Sequence, residues 1–73
     1  MKAIETAKEI IKDDLTRLTS GQFYSICWMG FDGLEIAPSA VFSAIRELAK
    51  SGDLTEKRLP NGYGGWDFNY FKP

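Results

Sequence analysis

Hydrophobic residues recur along this chain at two different periods, and the change of period divides it into helical and extended stretches. Between Ala3 and Leu18, Ile4, Ala7, Ile11, Leu15 and Leu18 fall on one helical face with Ile10 at its edge, while Glu5, Lys8, Glu9, Lys12, Asp13 and Arg17 fall outside it. Steps of three and four residues are those of an amphipathic α-helix. The clearest helix signal runs from Pro38 to Leu54. There Val41, Ile45, Leu48 and Ala49 form an apolar stripe edged by Phe42, and Pro38 has the fixed φ of a first helical turn. Arg46 and Lys50 suit the carbonyl end of the macrodipole, and Gly52 supplies a left-handed stop. Beyond it, Leu54 to Leu59 and Trp66 to Phe71 flank Pro60-Asn61-Gly62-Tyr63-Gly64-Gly65, whose glycines allow positive φ, so the spacing predicts a β-hairpin. Parity sets its register. Pairing Pro60 with Trp66, Arg58 with Phe68 and Glu56 with Tyr70 puts Leu54 on the aromatic face, whereas a slip of one residue turns the aromatics the wrong way.

The middle of the chain is less regular. Thr19-Ser20-Gly21 breaks the first helix, and Ser20 can cap a second, short one running to Met29 with Gly30 as its stop. Phe23, Ile26, Cys27 and Gly30 would share its inner face, with Cys27 a small core residue, and Tyr24 and Trp28 would lie on another. The competing reading is a strand, because Phe-Tyr-Ser-Ile-Cys-Trp has high β propensity and no strong helix former. Phe31-Asp32-Gly33 reads as a turn, and Leu34-Glu35-Ile36 as a short strand or a plug for the core. The expected core comprises Ile11, Leu15, Ile26, Val41, Ile45, Leu48, Leu54, Trp66 and Phe68, with the hairpin aromatics roofing three helices.

Size and composition narrow the picture. A chain of 73 residues has room for one domain, and it buries only about 60 to 65% of its unfolded surface. With 44% hydrophobic and 14% aromatic residues it has enough apolar area to fold. The net charge of −1 gives no global attraction to nucleic acid or an anionic membrane, so a DNA contact would have to be a local patch. Cys27 is the only cysteine and histidine is absent, which excludes an internal disulfide and argues against a zinc site from this chain alone. No apolar run approaches the roughly 20 residues that cross a bilayer, and charges alternate where a signal peptide would be apolar. These features predict a soluble, unprocessed, cytoplasmic protein without a cofactor. The neighbours Asp13 and Asp14 diverge by about 100° on a helix and cannot flank one substrate atom. No nucleophile motif or phosphate loop is present, so no catalytic role is expected.

Helix, helix, turn, helix and a Gly-rich hairpin is an order similar to that of the winged helix-turn-helix domains of small bacterial or phage transcriptional regulators. The segment V-F-S-A-I-R-E-L-A-K-S-G-D-L from Val41 to Leu54 resembles that family's third helix and its exit into the wing. The resemblance implies an α+β winged helix over residues 1–73, a three-helix bundle followed by a C-terminal hairpin wing. Two departures are an aromatic second helix and a long connection from Gly30 to Ala37. By the same resemblance, Ser39, Ser43, Arg46 and Lys50 of a helix over about 38–51 would enter the major groove of double-stranded DNA. Lys57, Arg58, Asn61 and Tyr63 of a wing over about 54–71 would reach phosphates or the minor groove. Glu47, Asp53 and Glu56 intervene, so residues 38–59 carry a single net positive charge, and one module would need to act as a homodimer to hold a site. The alternative is a winged helix turned to a protein partner, with Tyr24, Trp28, Phe42 or Tyr63 as aromatic anchors.

Overall fold

The computed structural model describes residues 2–73. Its element order is a helix α1 (Lys2–Leu15), a one-turn 3-10 helix (Trp28–Phe31), a helix α2 (Pro38–Ser51) and two strands, β1 (Thr55–Pro60) and β2 (Trp66–Phe71). The class is α+β, with two α-helices packed on each other and an antiparallel hairpin at one end.

Both long helices form where the apolar stripes place them. α1 ends at Leu15, three residues before the expected Leu18, because its last turn tightens. Thr16, Arg17 and Leu18 donate to the carbonyls three residues back at 3.1 to 3.2 Å. α2 begins at Pro38 and ends at Gly52, whose φ of 89° is the left-handed stop expected of it. The hairpin pairs Pro60 with Trp66, Arg58 with Phe68 and Glu56 with Tyr70, in the register that parity required.

The expected second helix over Ser20–Met29 is absent. Residues 22–27 run extended, and Phe23 forms an isolated antiparallel bridge with Phe71. The cause lies in competing hydrogen-bond partners. β2 offers an open edge, to which Tyr24 N–H donates at Tyr70 O (2.8 Å), while Lys72 N–H donates to Gln22 O (2.8 Å). A run of aromatic and β-branched residues fits that pleated edge better than an isolated short helix. Ser20 caps nothing; its hydroxyl donates to Pro73 O at 2.9 Å. Gly21, with φ of 84°, makes the turn, whereas Gly30 lies inside the 3-10 turn with no positive φ.

Exchanging helix for extended chain inverts the burial of this segment. Successive residues now point to opposite sides, so Tyr24 is buried and Phe23 exposed, the reverse of the helical expectation. Cys27 is exposed and not a core residue, and Ile26 is only half-buried. Phe31 turns in from the 3-10 helix and is buried. The core joins Ala7, Ile11 and Leu15 of α1 to Val41, Ala44, Ile45 and Leu48 of α2, closed by Tyr24, Phe31 and Leu54. Trp66 and Phe68, expected in that core, are each 57% exposed. Only the base of the hairpin, at Leu54 and Tyr70, reaches the helices, and its outer half projects past them.

A candidate nucleic-acid interface

α2 presents Phe42, Arg46 and Lys50 at four-residue steps, which aligns them along its exposed side. Alternation along β2 turns Trp66, Phe68 and Tyr70 to one face of the hairpin, with Glu56, Arg58 and Pro60 opposite them on β1. That face and the side of α2 enclose a two-part cleft. One part, of about 390 Å³, is lined by Arg46, Ala49 and Lys50 of α2 and by Glu56, Phe68 and Tyr70 of the hairpin. The other, of about 350 Å³, is bounded by Phe42, Ile45, Trp28 and Ile26 as well as Phe68 and Tyr70. The shared residues Phe68 and Tyr70 make the two parts adjoin.

Electrostatically the parts differ. The three carboxylates between residues 38 and 59 each accept a hydrogen bond, though only Glu47 is neutralised by an ion pair, and among the described residues the Asp67 carboxylate of β2 has no partner. Glu47 accepts from Lys8 Nζ of α1 at 3.2 Å, Asp53 from the Ser51 hydroxyl at 2.7 Å, and Glu56 from the Tyr70 hydroxyl at 2.9 Å. The hydrogen bond to Glu47 is the main cause that raises the Lys8 pKa above the usual lysine value. The cations fare otherwise. Among the described residues, Arg46, Lys50, Lys57 and Arg58 make no ion pair; those that form join Lys8 to Glu5 and Glu47, and Arg17 to Asp13 and Asp14. Burial raises the Tyr70 phenol above its ordinary range and the Glu56 hydrogen bond adds to this, while the nearby positive charge of Arg46 acts in the opposite direction.

The eight residues expected to contact DNA are not gathered into one surface. Arg46 and Lys50 stand in the cleft. Arg58 shares its hairpin face and lies over the Trp66 ring, 5.3 Å from the centroid. Lys57 is on the opposite face, 4.9 Å from the centroid of Phe71. Ser39 and Ser43 line a separate hollow with Glu35 and with Ala3 and Ile4 of α1. Asn61 has a structural task, its Oδ1 accepting from Tyr63 N–H at 2.8 Å and Gly65 N–H at 3.2 Å, which closes the hairpin loop. Tyr63, 95% exposed, stands free at the loop tip.

Sequence reasoning missed Phe68 and Trp66 as surface residues. One signal was available: the far end of the hairpin faces no apolar residue of its own strand partner beyond Leu54, only Glu56, Arg58 and Pro60. No protein-family model, curated protein or solved structure matches the chain significantly.

Proposed function

We propose that the protein binds DNA through α2 and the inner face of the hairpin, as a small regulator of winged-helix type. One observation carries this reading. Four cations on these two elements are free of ion pairs, and three of them, Arg46, Lys50 and Arg58, lie on one side, whereas Glu47 is ion-paired to Lys8. On the side shared by α2 and the hairpin, Arg46, Lys50 and Arg58 outnumber Glu56, which keeps its charge, and that local excess attracts phosphate even on a chain whose net charge is −1. What supports the winged-helix likeness is the succession of α2, a left-handed glycine and a hairpin between Pro38 and Phe71, although two α-helices and a 3-10 turn stand where that order calls for three helices. That replacement removes the usual helix-turn-helix brace, so α2 is oriented by α1 and by the hairpin base instead.

The test is a titration of labelled duplex at several salt concentrations. Three cations on one side, Arg46, Lys50 and Arg58, should give a log-log slope of about −3. Arg46→Ala should cost about 1 to 3 kcal/mol on a preferred site, and Arg58→Ala should flatten the slope by about one unit. Lys57→Ala should matter less, because its side chain leaves from the other face. Binding of neither the duplex nor its separated strands at low salt would abandon this reading.

A second reading, contact with a protein partner, is favoured by the half-exposed rings of Phe42 and Trp28, packed edge to face at 5.9 Å. It requires Phe42→Ala to abolish capture of a partner while Arg46→Ala leaves it intact.

A further inference from the structure

The two parts of the cleft differ in what they would accept. Resting on the nucleic-acid reading above, we propose that the cleft between α2 and the hairpin holds an unpaired nucleotide, so that the protein prefers single-stranded DNA to intact duplex. The apolar part is walled by aromatic rings that folding leaves uncovered, Trp28 at 46%, Phe42 at 50% and Phe68 at 57% exposure. The adjoining part carries Arg46 and Lys50, neither of them ion-paired. A ligand complementary to both has a flat, largely apolar body joined to an anion a few ångströms away. A nucleotide is such a molecule, with its base against the rings and its phosphate against the cations.

Geometry selects the unpaired form. Ring stacking uses the face of a base, and in a duplex both faces are already covered by the neighbouring pairs. An α-helix reaching into a major groove meets base edges only. Phe68 and Trp28 can therefore be satisfied by single strands, frayed ends or an extruded base, and not by the edges of intact pairs. Ser25 and Asn69 also line the apolar part and can hydrogen-bond the edge of a stacked base. The one carboxylate in the cationic part, Glu56, accepts the Tyr70 hydroxyl at 2.9 Å, and Arg46 and Lys50 outnumber it. Outside the cleft, Trp66 with Arg58 over its ring extends the aromatic and cationic alternation along the hairpin, where the next nucleotide of a strand would run.

The experiment compares a fluorescently labelled single strand of about 12 nucleotides with the blunt duplex of the same sequence, using the full chain at low salt. The single strand should bind about tenfold or more tightly, and binding should quench tryptophan fluorescence. Phe68→Ala, at a position 57% exposed, should keep the circular dichroism spectrum and melting temperature of the parent and weaken single-strand binding by about tenfold. Phe68→Tyr, which keeps a ring, should restore it. If duplex binds as tightly as the single strand, or Phe68→Ala leaves single-strand affinity unchanged, the cleft proposal is overturned and the DNA reading stands. If neither form binds, both fall and the protein-partner reading replaces them.

Discussion

Tyr24 shows most clearly how a single side chain records the exchange of helix for extended chain. Its ring is 5% exposed, and its hydroxyl is buried without a hydrogen-bond partner. Burial pushes its phenol up to about 12, and the negative charges of Asp14 and Cys27 add to the shift. Two outcomes follow at this position. At neutral pH, Tyr24→Phe removes an unsatisfied group and keeps the ring, so stability should be unchanged or rise by up to about 1 kcal/mol. In alkali the sign is set by which state releases its proton first. The unfolded phenol ionises near pH 10 and the folded one near 12, so the stability that Tyr24 contributes is whole below pH 10 and is lost as the pH rises through 12. Denaturant melts from pH 7 to 12 should show a smaller alkaline loss in Tyr24→Phe than in the parent. The remainder belongs partly to Tyr70, which is raised in the same direction. Equal alkaline loss in both proteins would mean that Tyr24 is not buried as described. The β propensity of Phe23 to Trp28 did offer the extended reading, but not the side it buries: a helix puts Phe23 inside and Tyr24 on another face, and the edge of β2, 46 positions downstream by the pairing of Tyr24 with Tyr70, reverses them.

Elements whose bonds are internal were the legible ones. α2 carries its own start, stripe and stop, and the hairpin carries its own loop and parity, so their limits and register follow from residues that lie close in sequence. The segment from Ser20 to Met29 takes its partners from another element, which no periodicity within it reveals. The same distinction locates the energetic centre. Ile45 is 2% exposed among Ala7, Ile11 and Leu48, between the two helices. Ile45→Ala should cost about 2 to 5 kcal/mol, which approaches the whole stability of a small domain. A thermal melt like the parent's would contradict this core. The outer hairpin should tell the opposite story, because its rings are already half in water.

At the scale of the molecule, the candidate site was legible in its chemistry and not in its assembly. Arg46 and Lys50 were placed correctly on the open side of α2, and Arg58 on the hairpin. That Lys57 parts from Arg58 follows from strand alternation alone, whereas the separate hollow at Ser39 and Ser43 depends on where α1 lies. The exposed aromatics were hidden by the assumption that a hairpin roofs the helices along its full length. The seam that joins residues 20–24 to residues 70–73 has a consequence in time. Ser20 meets Pro73 across 53 positions, and the Lys72 ammonium reaches Leu15 O across 57. The edge they use exists only once β2 has paired with β1, so this seam closes after the hairpin and joins the most distant parts of the chain. Phe71→Ala, which removes the ring packed against Phe23 at 5.6 Å, should therefore speed unfolding and leave the folding rate nearly unchanged, a φ-value below about 0.3 in stopped-flow chevrons. A folding rate that falls in proportion to the lost stability would put the seam in the nucleus instead. With such a φ-value, bonds across the seam act on the unfolding rate, so strengthening them would lengthen the life of the native state more than it would speed folding.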